Sequence, residues 1–96
     1  MAYSPYDKEE ITVTSGSVAT LDAGKVAASG TRAIITVENS ILTFYVNGSS
    51  PSATTGHEIY PGDQLDILGN TSMSNFKVIA ESASGKLVVT YYSGSA

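Results

Sequence analysis

Apolar and polar residues alternate with a period of two over short stretches, and Gly, Pro, Asn and Ser separate those stretches. "EITVTSG" sets Ile11 and Val13 against Thr12 and Thr14, and "SVATLDAGKVAASG" begins with a short strand over Val18 to Leu21. "TRAIITVENS" places Ala33, Ile35 and Val37 on one face and turns at Glu38-Asn39-Ser40, and "ILTFYVNG" runs from Ile41 to Val46 and stops at Asn47-Gly48. "HEIYPGDQLDILGN" reads as a hairpin whose second strand carries Leu65 and Ile67. "NFKVIAE" puts Phe76, Val78 and Ala80 opposite Lys77, Ile79 and Glu81, and "KLVVTYY" puts Leu87, Val89 and Tyr91 opposite Val88, Thr90 and Tyr92.

This pattern predicts a single all-β domain: an antiparallel β-sandwich, or a small jelly-roll-like barrel, of seven to eight short strands. The expected core is Ile35, Val37, Leu42, Phe44, Leu65, Ile67, Phe76, Val78, Leu87 and Val89. The one window with helical spacing, Leu21 to Ala28, is short, holds Gly24 and lacks a capping box, so it is read as loop. Residues 1–10, "MAYSPYDKEE", form a polar, Pro-containing N-terminal arm ahead of a domain over 11–96.

Two strands are apolar on both sides. Ile41, Thr43 and Tyr45 back Leu42, Phe44 and Val46, while Val88 and Tyr92 back Leu87, Val89 and Tyr91. A sheet with one face in water does not need this. Either a loop or the arm covers the outer faces, or a second copy of the chain does. On the second reading the interface residues are Tyr3, Tyr6, Ile41, Tyr45, Val88 and Tyr92, and the arm reaches a neighbouring subunit.

Composition narrows the chemistry. There is no Cys, so no disulfide or thiolate. Five Lys and Arg against nine Asp and Glu give a net charge of −4, the wrong sign for neutralising phosphates, so no nucleic-acid partner is expected. No run approaches the roughly 18 apolar residues of a membrane span, and the first residues lack the apolar segment of a signal peptide. Ser and Thr make up 24 of the 96 residues and charged residues only 15%, against about 25% in ordinary soluble domains. Such a surface suits a subunit packed against others.

His57 is the only histidine. A β-barrel metal site needs three or four converging ligands, and His57 and Glu58, adjacent on a strand, point to opposite faces. The stretch is therefore read as a hairpin: Pro61-Gly62 makes a type II turn with Gly62 at positive φ, and Asp63 caps it. No nucleophile elbow or phosphate loop is present. Paired carboxylates could be drawn from the nine acids, but a chain this small has little room for a substrate cleft. No enzymatic activity, no cofactor and no metal are expected.

The run "ENSILTFYVNGSSPSATTGHEIYPGDQLDILGNTSMSNFKVIAESASGKLVVTYY" resembles small structural proteins of tailed-bacteriophage virions in its order of strands, Asn-Gly turn, "PSATTGH" loop and "YPGD" turn. The resemblance covers Arg32 to Tyr92, and its motifs are turns and core positions. It implies a structural subunit of a phage particle, made in the host cytoplasm and residing in the virion. A capsid decoration (cement) protein fits best, bound as a homotrimer to the major capsid protein or other virion subunits and stabilising the head shell. A tail or collar component is the nearest alternative. A carbohydrate- or receptor-binding module, using Tyr60, Tyr91 or Tyr92 as a stacking platform beside "SSPSATTG", is the rival of another class.

Overall fold

The computed structural model describes residues 2–52 and 54–94. Its elements are β1 (Tyr3–Val13), β2 (Ala19–Thr20), α1 (Ala23–Ser29), β3 (Arg32–Glu38), β4 (Leu42–Tyr45), β5 (His57–Ile59), β6 (Gln64–Leu68), α2 (Asn70–Asn75), β7 (Lys77–Ala80) and β8 (Gly85–Gly94). They build two four-stranded antiparallel sheets, in the orders β1-β8-β3-β6 and β2-β7-β4-β5. The fold is an all-β sandwich, and the alternation along β3 shows why. Ala33, Ile35 and Val37 are fully buried, while Arg32, Ile34, Thr36 and Glu38 between them are only partly covered. A period of two delivers one apolar row to the core.

The core joins the two inner faces. Val13, Ile35, Val37, Ile67, Leu87, Val89 and Tyr91 come from the first sheet, and Leu42, Ile59, Val78 and Ala80 from the second. Of the residues expected there, Phe44 and Leu65 are half-buried and pack against the cluster, and the other eight are buried. The turns form as the sequence predicts: Asn39 and Gly62 take positive φ of 78° and 92°. Asp63 Oδ2 accepts from Tyr60 N–H at 3.0 Å, and Asp63 N–H returns to Tyr60 O at 2.9 Å.

Three expectations need correction. The window read as loop contains α1, capped not by a capping box but by Asp22 alone, whose Oδ1 accepts from Lys25 N–H at 3.1 Å. A lone Asp at this position satisfies an orphan donor, and burial of Val26 anchors the turn. A second short helix, α2, fills the stretch between β6 and β7 and buries Met73. Asn70 ties the helices together, donating from Nδ2 to Val26 O and Gly30 O at 3.0 and 2.8 Å.

The third correction concerns the N-terminal arm. Tyr3 to Glu10 is not free to reach a neighbour, because it is most of β1 and pairs with β8 from Tyr3↔Gly94 to Glu10↔Val88. Polar composition misled here because an edge strand buries only one side of its length. Tyr6 packs on the core, its ring 6.3 Å from that of Tyr91, and its hydroxyl donates to Lys25 O. Glu9, read as part of a solvated arm, accepts from the Tyr91 hydroxyl and, at 3.0 Å, from Asp22 N–H. Burial first, and the Glu9 carboxylate second, push the Tyr91 phenol well above its ordinary value.

Candidate functional site

The two-sided strands meet different fates. In β4 the outer face is covered from within the chain: Thr43 is buried, and Pro51 and Gly56 from the following loop lie against it. Gly56, at φ +138°, approaches so closely that an added methyl would stand 2.5 Å from Thr43 Cγ2. In β8 the outer face remains half-open, with Val88, Thr90 and Tyr92 only partly covered.

That half-open face of the first sheet is the candidate interaction surface. Register places Ile34 beside Thr90, Thr36 beside Val88 and Arg32 beside Tyr92. Ile34 and Val88 form its apolar centre, with Leu68 57% exposed at one corner. The Arg32 guanidinium lies 4.9 Å from the Tyr3 ring centroid and 5.8 Å from that of Tyr92. It also grips Asp66 with two hydrogen bonds, Nε to Oδ1 at 2.9 Å and Nη2 to Oδ2. The pair holds the Asp66 carboxyl below its usual value and Arg32 above. At the other end Lys86 Nζ sits 3.4 Å from both Glu10 Oε1 and Glu38 Oε1, and chiefly the Glu10 bond raises its pKa. The face is thus a mixed strip of Ile34, Thr36, Val88, Thr90 and Tyr92, with Lys8 beside Thr90 on its β1 side, between two ion-paired ends.

The six expected interface residues do not converge. Tyr3, Val88 and Tyr92 share this face, Tyr6 turns inward, and Ile41 just before β4 and Tyr45 at its end lie on the other sheet. Arg32 and Asp66 were missed, because only the pairing of β3 with β6 brings them together. The stacking platform is also divided. Tyr91 is fully buried, and Tyr60, 48% exposed beyond β5, lies on the opposite sheet from Tyr92.

The hairpin histidine serves packing: His57 lies 5.5 Å from the Phe44 ring and edge-on to Tyr45 at 5.6 Å. Among the described residues no group of three His, Asp or Glu is placed to hold a metal ion. Behind it, Thr43, Thr54, Gly56, Glu58 and Glu81 line a shallow cleft of about 330 Å³. Tyr60 Oη donates to Glu58 Oε1 at 3.1 Å, and Thr43 Oγ1 donates to Glu81 Oε2 at 3.2 Å. The two carboxyls share a hydrogen bond that pushes Glu81 above its ordinary value.

That contact gives a pH prediction. The Glu81 carboxyl, ordinarily near 4.5, is raised in the folded state, first by its contact with Glu58. The folded pKa is raised, so this contribution is present at acid pH and is lost as pH climbs through the shifted value. Thermal melts of wild type and Glu81→Gln from pH 4 to 7 should diverge, the wild type losing Tm with rising pH and the variant losing less. Parallel curves would refute the raised Glu81 value.

Comparison with protein-family models, with curated proteins and with solved structures finds no match.

Proposed function

We propose that the chain is a non-enzymatic structural subunit of a phage particle, a capsid decoration protein that grips the head shell through the outer face of its first sheet. One observation carries this reading: the strip of Ile34, Val88 and Tyr92, half-open to solvent and closed off at both ends by internal ion pairs. The ion-paired ends, which would cost desolvation if buried, suit the wet rim of a contact, and the apolar centre gains roughly 25 cal/mol per Å² buried. Low charge density and the likeness of Arg32 to Tyr92 to virion proteins support the same assignment. A tail or collar position would use the same face.

The test is cosedimentation of the purified protein with DNA-free heads and with tails of the encoding phage. Saturable binding to heads, reduced at least about tenfold by Val88→Glu with the far-ultraviolet circular dichroism unchanged, is the expected result; one buried, unpaired charge suffices for that loss. Binding to tails alone moves the protein to the tail. Absence from both, or indifference to Val88→Glu, defeats the proposal.

A further inference from the structure

The sandwich has four outer strands, and three are poor templates for another chain. β2 and β5 have two and three residues. β1 is long but guarded: Pro5 offers no N–H, the register shifts between Pro5 and Asp7, and Asp7, Lys8, Glu9 and Glu10 follow in a row. Proline, irregular register and charge are the usual means of blunting an edge.

β6, Gln64-Leu65-Asp66-Ile67-Leu68, has no proline and no register shift, and its one charge, Asp66, is already paired with Arg32. Its hydrogen-bond phase follows from bonds at both ends of its pairing with β3, Gly69 N–H to Thr31 O at 2.7 Å and Val37 N–H to Asp63 O at 3.0 Å. With the register Ala33↔Ile67 and Ile35↔Leu65, the odd-numbered residues bond to β3. The main-chain N–H and C=O groups of Gln64, Asp66 and Leu68 therefore point outward. Among the described residues no strand pairs with that side.

We infer that β6 is a docking edge for the β6 of a second copy, antiparallel about a two-fold axis at Asp66. This register alone matches all three outward residues: Gln64 meets Leu68 of the other copy, Asp66 meets Asp66, and Leu68 meets Gln64. On the inner face Leu65, half-buried in the single chain, comes to lie against Ile67 of the other copy, and the two cores join under a continuous sheet. The juxtaposed Asp66 side chains would repel if bare, but each is already held by its own Arg32. An isologous contact closes on itself, so pairing stops at two. It goes beyond the virion reading and does not depend on it. The strand is short against the roughly 800 Å² per partner of a standard interface, so the free dimer is weak. Subunits arrayed on a surface, at high effective concentration, would feel it most.

Sedimentation over a concentration series, with hydrogen exchange read at single amides, tests the inference. The expected result is a mass rising toward twice 9.9 kDa, with exchange at Gln64, Asp66 and Leu68 slowing as concentration increases. Leu68→Lys and Gln64→Pro should each weaken the association about tenfold or more. Val88→Glu, which targets the other surface, should leave it intact. A monomer at millimolar concentration, a trimer whose β6 amides exchange as in the monomer, or a dimer indifferent to both β6 variants would overturn it.

Discussion

Removing residues 1–10 is expected to destabilise the domain severely, not to release it from a partner. The deletion strips from β8 all but the last turn-ward part of β1, whose pairing begins at Tyr3↔Gly94. It takes Tyr6 away from the core and Glu9 away from the Tyr91 hydroxyl. A buried donor left without its acceptor costs about 1–3 kcal/mol, and the lost aromatic packing adds about 2 kcal/mol or more. A domain of this size has a total of about 5–14 kcal/mol. Each lost kcal/mol lowers Tm by about 4–8 °C, so the truncated protein should melt more than about 12 °C lower or fail to fold. A shorter deletion ending before Pro5 keeps Tyr6 and Glu9 and should be mild. A Tm within a few degrees of wild type for the full deletion would show that β1 is dispensable.

Phe76→Ala should rank with it. Phe76 caps the C-terminal end of α2, is 1% exposed, and sets its ring 5.8 Å from that of Phe44. Truncating a buried Phe costs about 3–5 kcal/mol, through lost transfer energy and the cavity left behind. Here the cavity would open between the end of α2 and the Phe44 ring. Chemical denaturation should show the midpoint falling with an unchanged slope. Phe44→Ala, at a half-buried site, should cost clearly less. Equal losses at the two positions would mean that Phe44 anchors this end of the core as firmly as Phe76 does.

The contrast between these two phenylalanines marks how far sequence reading reaches. Both sit in alternating stretches and both are assigned inward, but the period does not say that Phe76 leaves a helix to enter β7. The strands were legible wherever one face was plainly apolar, as in β3, and the turns wherever Asn or Gly supplied a positive φ. β1 was legible only at its end, Ile11 to Val13: ahead of it the inward row is acidic, Asp7 and Glu9, and Glu9 is held there through Tyr91 and Asp22. α1 was hidden because one Asp side chain does the capping. Arg32 with Asp66, and Glu58 with Glu81, lie far apart in sequence, and only strand pairing makes them neighbours.

The pairing of β1 with β8 also bears on how the chain is made. Its first strand cannot find a partner until its last has been synthesised, since Tyr3 pairs with Gly94. At about 5–20 residues per second, β1 waits for several seconds on the ribosome as an unpaired edge. Contacts of such long range are the slowest to form. The run of charges at Asp7, Lys8, Glu9 and Glu10 keeps that waiting segment hydrated until the final strand arrives to pair with it.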